Sequence, residues 1–217
     1  MNEVEFFGRI TAGFTHEFKN VLATVRESAG LMEDILAMTQ GASSPHQARL
    51  ARSISIIMAQ VNRGNELLSG LNRFAHGPDH PGKARLDLNE IVEQMVVLSQ
   101  RFARLKGVTL SVRRADAAVP VELPQVPLQM VVFTCLELCW TRTPSGGEVS
   151  TCAAGEEKGA VVDFLCRGKD GADASCFEEA AGGEAWMNLS AMAEHLGGAV
   201  EIGLGFPGMS LRFARAC

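Results

Sequence analysis

The sequence predicts an α+β protein, in which an N-terminal antiparallel helical hairpin is followed by a domain of helices packed against a mixed sheet. Two long amphipathic segments occupy residues 1–76, and shorter segments of alternating helix and strand character occupy residues 85–217. Between them, residues 77–84 combine two prolines with two glycines, which is typical of a linker. The sequence therefore predicts two domains joined by a short connection.

The hairpin is predicted from helical periodicity. Apolar side chains recur every three or four residues from Phe7 to Thr39. Residues 41–45, Gly-Ala-Ser-Ser-Pro, then supply a stop, a serine cap and a proline suited to the first turn of a second helix, which runs to about Ala75. Such a hairpin leaves an apolar stripe without a partner unless it dimerises or meets another domain. A dimeric four-helix bundle is the economical solution.

The second domain is predicted from shorter patterns. Strands are expected at 86–88, 108–112, 119–123, 148–153 and 160–166, with two more that end at Phe213. Helices are expected at 89–106 with Asn89 as cap, at 128–141 and at 188–196. The strands 148–153 and 160–166 flank a short glycine-containing turn, which predicts a hairpin.

Composition excludes several classes of protein. The formal net charge of −5 argues against nucleic-acid binding, which needs a clustered basic surface. No window approaches about 18 consecutive apolar residues, and the first five residues are acidic where a signal peptide would be basic, so we expect no membrane association and a cytoplasmic location. The six cysteines form no CxxC pair and lie far from histidines in sequence, which favours reduced, mostly buried thiols over a metal site.

His16 is the candidate for chemistry on the first helix. At about 100° per residue it lies about 165° from the mean direction of the apolar stripe, and should face solvent. Asn20 lies one turn further on, and Glu17 is expected to flank the stripe, so that the three share one patch. An exposed neutral imidazole is a nucleophile, a neighbouring carboxylate can accept its other ring N–H, and an amide can orient a phosphoryl oxygen or a water. These are the predicted catalytic residues.

The stretch Gly13-Phe-Thr-His-Glu-Phe-Lys-Asn20 resembles the H-box of histidine kinases, in which a phosphoacceptor His precedes Glu or Asp, two variable residues, and Asn or Thr. The segment 127–133 resembles the start of the family's N-box helix, and 193–202 resembles the turn after its last glycine box. The order of hairpin, linker and α+β domain is also similar. The resemblance implies a phosphoacceptor four-helix dimer followed by a histidine-kinase-type ATPase α/β sandwich.

Three nucleotide-binding features of that family are altered here. The position of the N-box asparagine is about Leu138, and no asparagine occurs from residue 90 to 187. The adenine-binding D-x-G-x-G is replaced by Asp170-Gly-Ala-Asp-Ala174, and the glycine lid aligns with Gly183-Glu-Ala185. Side chains in place of such glycines obstruct close approach of backbone to phosphate. The resemblance thus implies a degenerate ATPase domain that does not bind ATP.

A histidine hairpin with a degenerate ATPase domain resembles dimeric histidine phosphotransferases. This implies a two-component phosphorelay protein that exchanges a phosphoryl group between His16 and receiver-domain aspartates of response regulators, with no cofactor of its own and with Mg²⁺ supplied by the receiver. Receiver docking is expected around His16, at Thr15, Lys19, Ala12 and Ala23.

Three alternatives stay open at this point. Glu17-Phe-Lys-Asn20 also matches the arrangement with which family phosphatases hold water against a receiver phosphoaspartate. A pseudokinase scaffold would use the hairpin only for binding. An active sensor kinase would use ATP despite the altered boxes.

Overall fold

The chain begins with two long helices, α1 (Glu3–Met38) and α2 (Pro45–Ala75). The computed structural model describes residues 2–38, 45–75, 83–157, 159–169, 182–203 and 205–214. Helix α1 begins earlier than predicted because the side-chain oxygen of Asn2 accepts a 2.8 Å hydrogen bond from the Glu5 amide, which caps the first turn. Helix α2 has the predicted bounds, and residues 39–44, where the stop and cap were predicted, lie outside the described residues.

The two helices form the predicted antiparallel hairpin. Near one end, Phe6 packs against Phe74 with ring centroids 5.4 Å apart. Further along, Glu17 forms an ion pair with Arg63. Residues later in α1 thus contact residues earlier in α2, so the two helices are antiparallel.

The second part of the chain contains two sheets. Strand β1 (Ala84–Asp87) pairs antiparallel with β3 (Pro120–Leu123) in a two-stranded sheet. The larger sheet has the strand order β2-β4-β5-β7-β6, formed by Thr109–Arg113, Glu148–Glu156, Gly159–Arg167, Gly208–Ala214 and Gly198–Ile202. Strands β2 and β4 are parallel and the other neighbours are antiparallel, so both the predicted mixed sheet and the predicted β4–β5 hairpin are confirmed. Most of the predicted linker 77–84 lies outside the described residues, and Ala84 already belongs to β1.

Three helices accompany these sheets, namely α3 (Leu88–Leu105), α4 (Gln125–Arg142) and α5 (Glu184–His195). The prediction that Asn89 caps α3 is wrong. The cap is Asp87, whose carboxylate accepts a 3.0 Å hydrogen bond from the Asn89 amide, while the Asn89 side chain donates to the carbonyl of Ala117. Within the described ranges, no helix combines the length and the apolar character needed to cross a membrane.

One apolar core joins the hairpin to the second part of the chain. Phe6, Ile10 and Phe74 of the hairpin are fully or almost fully buried in the same cluster as residues of α3, α4 and the large sheet. Phe133 of α4 lies 5.5 Å from Phe6, ring to ring. Of the two ways predicted to cover the hairpin stripe, dimerisation or contact with another domain, the structure shows the second at one end of the hairpin. The dimeric bundle itself stays a prediction.

The cysteines behave as small apolar side chains where they are described. Cys135, Cys139 and Cys166 are buried and Cys152 is half-buried. Burial raises the pKa of the Cys135 thiol, because the thiolate would lose its hydration. Cys176 and Cys217 lie outside the described residues.

Gly13 allows α3 to pack closely on α1. A Cβ atom at this position would lie 2.7 Å from the ring of Phe102, a distance that real contacts do not reach. The Phe102 ring in turn stacks on Trp140 of α4, with centroids 6.2 Å apart, and cannot retreat without disturbing that contact. Gly8, on the same helix, has open space around its Cβ position.

Gly13→Leu should therefore lower the free energy of unfolding by about 1–3 kcal/mol, the usual cost of overpacking. Gly8→Leu provides the matched control, since it gains the same helix propensity without a clash and should raise the stability by about 0.5–1 kcal/mol. Urea denaturation of both variants measures the difference. Equal effects at the two positions would contradict the packing of α3 on α1.

Candidate functional site

His16 lies near the middle of α1 with its side chain exposed to solvent, as predicted. Asn20, one turn further along, is also exposed. The predicted receiver contacts share this exposure, namely Ala12, Thr15, Lys19 and Ala23. The structure thus brings six of the seven predicted site residues to the surface, while their roles stay predictions.

Glu17 is the exception among the predicted site residues. It is only 6% exposed, so the expectation that it shares the patch of His16 and Asn20 is wrong. The physical reason is its angle on the helix, since Glu17 points about 100° away from His16 at about 100° per residue. That angle turns its carboxylate into the contact between α1, α2 and α3.

Two arginines compensate the buried carboxylate of Glu17. Oε1 accepts a hydrogen bond from Nη2 of Arg63 on α2, and another of 3.1 Å from Nη2 of Arg104 on α3. Both arginine side chains remain partly exposed, at 40% and 51%. A buried carboxylate without such partners would be strongly destabilising. The two arginines therefore allow Glu17 to lie at the contact between α1, α2 and α3.

A cleft of about 650 Å³ lies at this contact, between the hairpin and α3. Its walls include Gly13 and Glu17 of α1, Arg63 of α2, and Arg101 and Arg104 of α3. The last turn of α3 therefore stands directly beside the segment of α1 that resembles the H-box.

A second contact joins α1 to α4. The guanidinium of Arg9 forms two hydrogen bonds with the carboxylate of Glu137, one of them 3.0 Å long, and lies 5.0 Å from the centroid of the Phe133 ring. The hydrogen bond to Glu137 raises the pKa of Arg9, in spite of partial burial. Leu138, at the position that resembles the metal-holding asparagine, is 6% exposed. At this part of α4, Leu138 has an apolar side chain and the carboxylate of Glu137 is paired with Arg9 of α1.

Buried amides extend the connection between the two parts of the chain. Nε2 of Gln129 on α4 donates a 2.9 Å hydrogen bond to Oε1 of Gln94 on α3, and Nε2 of Gln94 donates one of 3.3 Å to the carbonyl of Gly70 on α2. Both glutamines are buried, and a buried amide fixes the relative placement of the elements it joins. The hairpin and the second domain therefore share polar as well as apolar contacts.

The remaining nucleotide-related segments are only partly described. Asp170-Gly-Ala-Asp-Ala174 lies outside the described residues. Gly183 precedes α5 as its N-cap, with extended backbone. Among the described residues, no group of three or more His, Cys, Asp or Glu side chains is placed to hold a metal ion.

Sequence reasoning missed the arginines that organise this site. Arg63, Arg104 and Arg9 are separated along the chain from their carboxylate partners by 46, 87 and 128 residues, so no local pattern marks them. One signal was present, because Glu17 lies only about 65° from the mean direction of the apolar stripe. A carboxylate that close to a buried stripe requires cationic partners.

Comparison with known proteins gives a likeness in structure only. No family model matches the chain, and no curated protein matches it significantly. The catalytic domain of histidine kinase ThkA is similar at 13% identity and a TM-score of 0.50, covering 61% of this chain and 97% of that one. Histidine kinase AdeS of Acinetobacter baumannii and a histidine kinase of Burkholderia phymatum cover 88% and 91% of this chain and 97% and 99% of their own, at 10% and 14% identity and a TM-score of 0.49 each.

The ThkA likeness defines the class of the fold. The mixed sheet with its helices is similar in fold to the catalytic domain of histidine kinase ThkA. At this identity the likeness shows the fold alone.

Proposed function

We propose that this protein is a histidine phosphotransferase of a two-component phosphorelay. His16 accepts a phosphoryl group from the phosphoaspartate of one receiver domain and passes it to the aspartate of another. ATP takes no part in the exchange. The partners are response regulators, and the protein acts as a homodimer formed by the hairpin.

The observation that carries this proposal is the ion pair between Arg9 and Glu137. In the family that the sequence resembles, the corresponding helix holds Mg²⁺ and the nucleotide phosphates. Here Arg9 of α1 forms an ion pair with the carboxylate of Glu137 on that helix. The neighbouring Leu138 side chain has no oxygen that could bind a metal ion. These residues do not fit a Mg²⁺–nucleotide complex, which supports a protein partner as the phosphoryl donor, and His16 on the same helix is exposed.

The exposed patch supplies what such a transfer needs. A ring nitrogen of His16 forms a bond to phosphorus as the acyl O–P bond breaks, and the receiver aspartate leaves as a carboxylate. The amide of Asn20, exposed one turn away, is placed to orient a phosphoryl oxygen. Ala12 and Ala23 have small side chains that admit the receiver surface, and Thr15 and Lys19 add polar contacts. The receiver's acidic pocket brings the Mg²⁺.

The homodimer is supported by an uncovered apolar face on the hairpin. Large apolar side chains remain 42–56% exposed there, namely Leu22, Ile54, Met58, Val61 and Leu68. Burial of such side chains against a second hairpin removes apolar surface from water. On α1, Leu22 lies about 120° from His16, so a dimer formed through this face leaves His16 accessible.

A labelling experiment tests the proposal. The purified protein is incubated with ATP labelled on its γ-phosphate, and separately with a receiver carrying labelled phosphoaspartate. We expect label on the protein from the receiver only, and acid-labile, as phosphohistidine is. Label arriving from ATP alone, or a micromolar ATP affinity by calorimetry, would establish a working kinase and refute the proposal.

A further inference from the structure

Glu17 is the one polar side chain of the H-box stretch 13–20 that the proposed relay leaves without a task. In sequence it is the neighbour of His16, and in space its carboxylate is buried and bound by two guanidinium groups. The structure describes Oε1 as the acceptor of both hydrogen bonds. The Glu17 side chain thus points toward α2 and α3, about 100° around α1 from His16.

The two arginines come from different parts of the fold. Arg63 belongs to α2, inside the hairpin, whereas Arg104 lies in the last turn of α3, inside the second domain. Helix α3 reaches this position because Gly13, one turn before Glu17, leaves room for the ring of Phe102. The second domain thus contacts the H-box directly through Arg104.

We infer that Arg63 and Arg104 are positioning residues that hold Glu17 away from the phosphoryl group and so suppress hydrolysis of the receiver's phosphoaspartate. This inference rests on the proposed function and deepens it, since a relay protein that also hydrolysed its donor would lose the signal. It gives the second domain a task that needs no nucleotide. That task is to keep the only carboxylate of the H-box engaged.

The suppressed reaction is an ordinary hydrolysis. A water oxygen forms a bond to phosphorus, the acyl O–P bond breaks, and inorganic phosphate and the aspartate carboxylate are released. The proton of the attacking water goes to the carboxylate of Glu17, and the receiver supplies Mg²⁺. Asn20 is exposed one turn from His16 and would hold the water, so only the release of Glu17 is missing.

The test measures whether hydrolysis of the receiver's phosphoaspartate increases when the clamp, the ion pairs of Glu17 with Arg63 and Arg104, is weakened. Arg104→Met keeps most of the alkyl stem of the side chain and removes its charge. We expect phosphate release from a phosphorylated receiver to rise on the order of 10-fold, because a positioned general base contributes about 100-fold or more and Arg63 still holds Glu17 in part. Arg63→Met with Arg104→Met should rise further.

Three further variants distinguish positioning from a structural role. Arg104→Lys retains the cation and should release phosphate at the wild-type rate. Adding Glu17→Gln to Arg104→Met should abolish the gain, since the base is lost. Arg101→Met, on the same helix and lining the same cleft, is the matched control, because no ion pair between Arg101 and a described residue is found. A merely structural contact would predict slower transfer in Arg104→Met and no gain in phosphate release.

The result for the wild-type protein distinguishes a failure of this inference from a failure of the proposed function. If the wild type takes no label from a phosphorylated receiver, the proposed function fails. If the wild type takes label on His16 but Arg104→Met and Arg104→Gln both release phosphate at the wild-type rate, the clamp has no such effect and the inference alone is overturned. A gain of release that depends on Glu17 supports it.

Discussion

His16→Ala should abolish transfer of label from a phosphorylated receiver, with a decrease of at least about 1,000-fold in the rate, because the proposed phosphoryl acceptor is lost. The side chain is exposed, so the fold should be unaffected. Gel autoradiography of samples quenched at successive times measures the transfer of label between the receiver and the protein. Circular dichroism checks that the helices are intact.

His195→Ala is the matched control for this experiment. His195 is also an exposed histidine on a helix, at the end of α5 in the second domain, and its loss should leave transfer unchanged. The same pair of variants separates relay from the phosphatase alternative. If His16→Ala still releases phosphate from the receiver at the wild-type rate while Asn20→Ala does not, the protein is a water-directing phosphatase and the relay proposal is wrong.

Phe6→Ala should lower the free energy of unfolding by about 3–5 kcal/mol, the usual cost of removing a fully buried aromatic side chain. The ring is completely buried and lies within 6 Å of Phe7, Phe74 and Phe133, two of which contact it from other helices. The variant removes one of the apolar contacts by which α1 joins the second domain. Urea denaturation followed by the fluorescence of the two buried tryptophans, Trp140 and Trp186, measures the loss.

Val4→Ala on the same helix provides the comparison for Phe6→Ala. Val4 is 82% exposed, and its truncation should change the stability by less than about 0.5 kcal/mol. A small effect at both positions would mean that the hairpin does not dock on the second domain in solution. The contact between Arg104 and Glu17, which depends on the same docking, would then fall as well.

Much of the secondary structure follows from the sequence because its signals are local. The bounds of α2, the hairpin formed by β4 and β5, and the exposure of His16 each depend on spacing within one segment, since period and turn chemistry decide them. The start of α1 and the cap of α3 were misplaced by a few residues. Asn2 and Asp87 are both good caps, but neighbouring polar residues compete for that position and only backbone geometry decides between them.

The sequence by itself determined that His16 is exposed, and it indicated that the nucleotide-binding positions carry unsuitable side chains. Only the tertiary structure decided where Glu17 points and which arginines bind it. It also decided that Arg9 of α1 pairs with Glu137 of α4. The physical reason is the range of the interactions. Helical periodicity acts over three or four residues, whereas the partners of Glu17 and Glu137 come from helices that are far apart in the chain and meet only when the core containing Phe6, Phe74 and Phe133 has formed.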